Sequence, residues 1–474
     1  MSFTSFAFAL LFLSVLGCRL TFGRDKRARS YLAFILGVSV VFYAWHIPPY
    51  LCILILSCLL DYVVALALPR QRPGSSRAKL ILCLSILGNM GVLGFFKYAN
   101  FALGSIDRLL QVAGLSSVDL PRLDLILPMG ISFYTFQSMS YTIDVYRGKL
   151  DPIRSFWRFF LYVSFFPQLV AGPIVRARDF LYQIDRRRKI RAGVMLEGSF
   201  LVIRGFFLKM VVADNVAIAV DETWVAACSP DASSLLSMIV LCLFSCQIFA
   251  DFAGYSSIAR GAAYTMGFRV PVNFNCPYIA STFKEFWTRW HISLSTWLRD
   301  YLYFSLGGNR KSRLRTYVNL MIVMLLGGLW HGAATTFVIW GAMHGAALVV
   351  ERMLGLERLH QRPGRGLIKF AWALVVQCTV LATWAFFRAQ WTGEGMTLIR
   401  RILSFDFAPL NDSMPLVALI FVVPIVAMHA RAWLADRSHL PPPGACEKAV
   451  WAGLMLAGIL TTYGKDNAFI YFQF

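Results

Sequence analysis

Phe283-Lys-Glu-Phe-Trp-Thr-Arg-Trp-His-Ile-Ser-Leu-Ser-Thr-Trp-Leu-Arg-Asp-Tyr-Leu-Tyr303 and, at the end of the next apolar run, Gly327-Gly-Leu-Trp-His-Gly332 decide how this chain reads. In the first stretch, large apolar residues at 283, 286/287, 290, 294, 297/298 and 301 alternate in steps of three and four. That is the spacing of an amphipathic helix, whose other face holds Lys284, Arg289, Ser295, Arg299 and Asp300. The segment is too polar to span a bilayer, and tryptophans on a cationic helix suit an interfacial helix at the cytoplasmic boundary. His291 lies towards its polar side, facing either a site or the headgroups. His331 follows the apolar run from Met321 and sits between Gly327-Gly328 and Gly332-Ala-Ala334, where small residues permit close approach. An imidazole there can be neutral at pH 7 and act as a general base, its unperturbed pKa being about 6.5. A bond to a neighbouring helix is the plainer alternative. If 316–350 form a hairpin, His344 faces the same interior.

Working outward, composition sets the class. Of 474 residues, 58% are hydrophobic and 15% charged, whereas soluble domains are roughly a quarter charged. Apolar stretches of bilayer-spanning length recur from end to end, predicting an all-α polytopic membrane protein in one integrated bundle, 1–474. The net charge of +21 sits in short loops between apolar segments, the positive-inside signature, which argues against nucleic-acid binding. Most of the ten cysteines, Cys18, Cys52, Cys58, Cys83, Cys242, Cys246 and Cys378 among them, lie in apolar segments. With no CxxC or Cys/His metal spacing they read as small buried hydrophobes, with no metal site.

Spans are expected at 2–22, 30–46, 50–68, 80–103, 125–146, 193–220 and 234–254. The N-terminal stretch reads as a first span and not a signal peptide. Loops 23–29 and 70–79 are basic while 46–49 is not, so the N-terminus faces outward. The outer loops are placed at 104–124 and around Asp221, Glu222 and Asp231. Residues 156–175, basic at both ends and broken by Pro167, Gly172 and Pro173, are expected to be re-entrant. Irregular backbone at that depth must be buried in protein or line a cavity. Further spans follow at 333–350, 370–388, 414–430 and 448–463, with a short amphipathic piece at 395–404. His360 and His439 read as loop histidines. Within 125–146, Ser132, Thr135, Ser138 and Thr142 form one hydroxyl stripe, either inter-helix hydrogen bonding or, ranked second, a polar tunnel wall. Gln247 and Asp251 lie near the inner end of their span. Asp251 is a functional candidate by its depth, the alternative being an interfacial pair with Arg260.

No G-x-S-x-G or H-E-x-x-H is present, so general-base acyl transfer suits the histidines best among enzyme classes. The chain further resembles the membrane-bound O-acyltransferase superfamily, and within it the inner-membrane subunits of bacterial alginate O-acetylation systems. The resemblance rests on Leu127–Gly148 (Leu-Pro-Met-Gly-Ile-Ser-Phe-Tyr-Thr-Phe-Gln), Phe165–Ile174 (Phe-Phe-Pro-Gln-Leu-Val-Ala-Gly-Pro-Ile), Gln247–Ser256, Phe286–Tyr303, Leu306-Gly-Gly-Asn-Arg310, Gly328-Leu-Trp-His-Gly332 and Trp384-Ala-Phe-Phe-Arg388. These motifs are collinear over residues 125–390.

The resemblance implies a ring of about 11–13 transmembrane and re-entrant helices around a central funnel. It implies that the Trp-His-Gly histidine, His331, is catalytic and that His291 assists. Asp251, Gln247, Asn309 and Trp330 lie in matching motifs, and with Ser132 and Thr135 they are the expected tunnel-lining residues. It also implies acetyl-CoA as a cytoplasmic donor with no bound cofactor, a bacterial inner-membrane location, a periplasmic partner of serine-hydrolase-like fold, and polysaccharide export machinery. Relatives that modify teichoic acid, peptidoglycan or cellulose share the motifs. Two rivals stand beside the enzyme: a transporter or flippase with His331 and Asp251 as gate or proton relay, and a non-catalytic scaffold for a periplasmic enzyme. The lack of any internal or inverted repeat weighs against the transporter.

Overall fold

The computed structural model describes all residues except 1, 23–27, 115–121, 171, 186–190, 360–363, 365, 411, 439–442, 463, 465–468 and 471–474. Most of the first basic loop, Arg186–Lys189, His360 and His439 therefore lie outside the described residues. The described residues are helical with irregular connections and contain no strand. Five helical segments are long and apolar enough to cross a bilayer: Tyr50–Arg70, Ser76–Val112, Ser234–Thr265, Gly366–Arg388 and Met414–Asp436. Shorter apolar helices cover Phe6–Thr21 and Arg29–Ala44. The protein is a multi-pass, all-helical membrane protein.

The chain forms two compact units. The first, Met1–Gly198 with Ala259–Pro271, contains α1 (Phe6–Phe22), α2 (Ala28–Ala44), α3 (Tyr50–Ala67), α4 (Ser76–Val112), α5 (Ile131–Tyr146), α6 (Phe156–Ser164), α7 (Phe166–Leu169) and α8 (Ala177–Asp185). Helix α4 is longer than its apolar core at 80–103 and runs into the region expected to be an outer loop, because 104–112 contain no helix breaker but Gly104. Helix α5 starts later than expected. Gly130 has φ +72, and a Cβ there would stand 2.4 Å from the Leu169 carbonyl oxygen, so only glycine allows this start.

The segment expected to be re-entrant folds as two short helices, α6 and α7, and then an extended strap. The nine residues of α6 rise roughly 14 Å, under half of a ~30 Å hydrocarbon core. Phe165, Phe180 and Phe268 lock it in place, with centroids 5.0–5.2 Å apart. Helices α3, α4 and α5 meet at a buried polar cluster. Asn89 Nδ2 donates to both Asp61 carboxylate oxygens at 2.9 Å, Ser57 Oγ donates to Asn89 Oδ1 at 2.6 Å, and Ser85 Oγ donates to Asp61 while lying 3.0 Å from Thr142 Oγ1.

The second unit, Ser199–Ile258 with Val272–Phe474, holds most of α9 (Ala192–Phe206), a π-helical stretch Phe207–Ala213, α10 (Asp214–Ala227), most of α11 (Ser234–Thr265), α12 (Phe283–Arg289), α13 (Ile292–Trp297), α14 (Arg313–His331), α15 (Thr335–Met353), α16 (Gly366–Arg388), α17 (Thr392–Leu403), α18 (Met414–Ala418), α19 (Val423–Ser438) and α20 (Ala445–Thr461). Helices α14 and α15 form the expected hairpin. Cβ atoms at Gly328 and Gly341 would lie 2.2 Å from the Phe337 oxygen and 2.4 Å from the Met324 oxygen. The absence of side chains there lets the two backbones touch.

The opening stretch is where the expectation fails. Residues 283–303 are not one interfacial helix but α12, a break at Trp290–His291, α13 and a π-helical turn Leu298–Tyr303. His291 has φ 40 and ψ 53, the left-handed region. Instead of the headgroups it meets the protein interior, with 0% exposure. Amphipathic spacing survives such a break, because each piece keeps its own apolar face. Phe286, Trp290 and Leu294 all remain buried.

Candidate active site

The break at His291 is held open by Asn273, from the extended segment after α11. The Asn273 carbonyl accepts Ile292 N–H at 2.9 Å, while its Oδ1 accepts Ser293 N–H at 3.2 Å and Ser293 Oγ–H at 2.8 Å. Asn275 N–H donates to the Arg289 carbonyl at 2.9 Å. The Asn273 amide thus caps α13 from outside, which offsets the roughly 1–3 kcal/mol of a left-handed non-glycine residue. The same Oδ1 lies 3.2 Å from His291 Nδ1. Since an amide oxygen only accepts, Nδ1 carries the proton and Nε2 presents a lone pair. Burial among rings pushes the His291 pKa, outside the membrane-spanning segments, down to about 3, so the ring is neutral at pH 7.

Upstream, α12 is fixed by capping. Thr282 Oγ1 accepts Glu285 N–H at 3.0 Å, and the buried Glu351 carboxylate accepts Phe283 N–H at 2.6 Å and Lys284 N–H at 3.0 Å. A carboxylate at a helix N-terminus is favourable on dipole grounds. Arg289, anchored to Glu285 and Asp436, ends the helix.

His331 is the last residue of α14, because Gly332 turns to extended backbone and a Cβ there would strike the Phe337 ring. It is 4% exposed. Its ring lies 6.4 Å from that of His291, 5.1 Å from Trp330, 5.0 Å from Trp340 and 5.3 Å from Phe387, centroid to centroid. Trp330 stands edge-on to both histidines, 5.9 Å from His291. The site is thus two imidazoles in an aromatic enclosure, supplied by a helix end and by a break between helices. The His331 ring therefore stands at the carbonyl end of α14, enclosed by aromatic side chains.

Asp251 is buried, but Lys209, not Arg260, faces it: Lys209 Nζ lies 3.0 Å from Asp251 and 2.8 Å from Asp214, and Ile470 N–H donates to Asp251 at 2.6 Å. The π-helical stretch brings Lys209 inward. Gln247, one turn before Asp251 on α11, is also buried. Asn309 lies on an exposed turn after Gly307 and Gly308; the nearby buried asparagine is Asn319, which donates to the Gly308 carbonyl at 2.9 Å. Ser132 and Thr135 are buried in the first unit, and the stripe they begin ends in inter-helix hydrogen bonding at Thr142. Asn273, Lys209 and Asp61 belong to none of the sequence motifs. Asp61 carries a signal as a lone charge in an apolar run, and Lys209 as a cation five residues before Asp214 in another; Asn273 carries none.

The family model described as MBOAT, membrane-bound O-acyltransferase family, matches residues 149–358. That span contains both histidines. The chain is 40% identical over 391 residues to the probable alginate O-acetylase AlgI of Pseudomonas putida, covering 82% of this chain and 78% of that protein. The chain belongs to the membrane-bound O-acyltransferase family. This acyltransferase is also 31% identical over 520 aligned positions to the peptidoglycan O-acetyltransferase of Helicobacter pylori, covering 99% and 96% of the two chains. A more distant match, 28% identical over 239 residues, is the teichoic acid D-alanyltransferase of Bacillus subtilis, with 48% of the acyltransferase and 60% of that protein aligned.

Proposed function

We propose that the protein is an inner-membrane O-acetyltransferase, its N-terminus outward, that passes acetyl from cytoplasmic acetyl-CoA across the bilayer for O-acetylation of an exported polysaccharide. Alginate is the favoured polymer, since the 40% relative is named for it; peptidoglycan, and cellulose by the motif resemblance, are the alternatives. In such a system a periplasmic partner of serine-hydrolase-like fold and the export machinery complete the modification.

The carrying observation is the placement of His331 at a helix carbonyl end, facing the tautomer-fixed His291. His331 takes the proton of the accepting hydroxyl, whose oxygen attacks the thioester carbonyl. The C–O bond forms, the C–S bond breaks, and the leaving thiolate takes the proton from the imidazolium. His291, neutral and held by Asn273, orients the reacting group through Nε2. The aromatic walls exclude water, which would otherwise hydrolyse the thioester.

Replacing His331 with Ala tests this. Polysaccharide acetylation in cells should fall by about 100-fold or more, the lower end of what a positioned general base contributes, while polymer export and membrane levels of the protein stay normal. Unchanged acetylation would defeat the catalytic assignment and favour a scaffold. Loss of export together with acetylation would favour a transporter in which His331 and Asp251 gate or relay protons.

A further inference from the structure

Two cationic segments meet at one end of the first unit. The end of α3, the turn after it and the first turn of α4 carry Arg70, Arg72, Arg77 and Lys79, and the α5–α6 connection carries Lys149 and Arg154, all exposed. Asp151 is the one exposed carboxylate in these segments. None of the six cations forms an ion pair with another described residue. The segments are held side by side. The turn Leu68–Arg70, which prolongs α3, packs on α5. Tyr62 Oη donates to the Arg154 carbonyl at 2.7 Å, and its ring stands edge-on to Phe156 at 5.5 Å.

Local backbone fixes both segments. Arg72-Pro-Gly-Ser75 is a tight turn closed by Ser75 N–H donating to the Arg72 carbonyl at 3.1 Å, with Gly74 at φ +74. Proline followed by glycine suits a turn whose third residue is left-handed. Ser75 Oγ then accepts Ala78 N–H at 3.2 Å and caps α4. Helix α5 ends at Gly148, φ +66, where the Gly148 and Lys149 N–H groups return to the Val145 and Asp144 carbonyls at 3.0 and 2.9 Å. From this charged end run two apolar rows, Val63, Leu59 and Leu56 on α3 and Leu80, Leu84 and Leu87 on α4, 44–69% exposed. Steps of three and four keep each row on one helix face, over a length of roughly 10 Å. Trp157, 66% exposed beside Phe156, lies in the same region, and tryptophans favour the headgroup level of a bilayer.

A charge bias between the two sides of a membrane is satisfied by cations anywhere in a connection. Six unpaired cations fixed over two exposed apolar rows form a surface charged at one end and apolar along its length. A soluble phosphate or a nucleic acid would cover only the charged end. We propose that this end of the first unit binds an anionic phospholipid, its phosphates on the two cationic segments and its acyl chains along the rows of α3 and α4. Binding of this kind depends neither on the acyl-transfer role of His331 nor on which side of the bilayer this end faces.

The test uses the full-length protein in neutral detergent, with cardiolipin titrated in and the bound lipid read by native mass spectrometry. Cardiolipin should bind more tightly than a phosphatidylcholine of the same acyl chains. Arg70→Gln/Arg72→Gln/Lys149→Gln should weaken cardiolipin by about 100-fold, roughly fivefold for each cation near an anionic lipid, and leave phosphatidylcholine unchanged. Lys311→Gln/Arg313→Gln/Arg315→Gln removes the same charge from exposed cations of the second unit and should bind cardiolipin like the parent. Inorganic pyrophosphate at the lipid's concentration should not displace it. Melting temperature checks folding; if the first triple variant fails to fold, Arg72→Gln and Lys149→Gln carry the test singly, at about fivefold each. Unchanged cardiolipin affinity in the first variant would overturn the proposal. An equal loss in the second would overturn it by reducing the effect to net charge. Equal binding of cardiolipin and phosphatidylcholine by the unmodified chain would do the same, and displacement by pyrophosphate would hand the cations to a soluble phosphate compound.

Discussion

His291 and His331 face each other with ring centroids 6.4 Å apart, although forty residues and a whole helix separate them in sequence. One ring is set by a left-handed break, the other by a helix end. Neither position tolerates much movement, because each is fixed by backbone geometry as well as by side-chain packing.

Asn273 is the residue on which the His291 side depends. Asn273→Ala removes the acceptor shared by His291 Nδ1, Ser293 N–H and Ser293 Oγ. Acetyl transfer should fall by about 100-fold, chiefly in kcat, the loss expected when a reacting group is misplaced by ~1 Å. Asn273→Asp keeps an acceptor at the same place and should retain more activity than Asn273→Ala. Kinetics of the two variants in membranes decide the matter; equal activities would show that the amide oxygen does not orient the ring.

Acid should weaken the fold through His291. Its folded pKa is depressed to about 3 by burial, whereas the unfolded chain titrates near 6.5. The unfolded state therefore binds the extra proton between those values. Stability is complete above about pH 6.5 and declines as pH falls below it, by up to about 1.4 kcal/mol per unit. His291→Gln should flatten this decline. Melting temperatures of both proteins at pH 7.5 and 5.5 measure it, and parallel curves would contradict the prediction.

The buried ion cluster predicts a large and asymmetric effect. Lys209→Met takes away the cation that Asp214 and Asp251 share, at a cost of about 3–5 kcal/mol. Adding Asp214→Asn and Asp251→Asn should recover a good part of that loss, since no uncompensated charge would remain. Thermal unfolding in detergent can follow the series. A triple variant as unstable as the single one would show that charge is not the issue.

Packing of the α14–α15 hairpin sets a further limit. Gly328→Ala places a methyl group 2.2 Å from the Phe337 carbonyl oxygen, so the helices must separate, at a cost of about 1–3 kcal/mol. Because His331 lies one turn away, acetylation should drop more than expression does. Gly104→Ala, where a Cβ meets nothing within 4 Å, is the control and should match wild type in both readouts.

The sequence alone determined that the chain is helical and membrane-spanning, and its collinear motifs carried the family resemblance. Length and apolarity of a span are local properties, and backbone hydrogen bonding in lipid leaves helices as the only solution for such segments. It also marked His331, because an ionisable side chain in an apolar run between glycines is costly wherever it ends up. Tertiary structure alone decided the rest. Periodicity could not reveal that 283–303 break at His291, since the apolar face continues through the break and the capping amide comes from Asn273, outside the segment. Nor could it pair Asp251 with Lys209, distant in sequence and brought inward by a π-helical turn. Side chains from separate helices meet according to packing, and the alignment of His291, Trp330 and His331 exists only once α13 and α14 lie against each other.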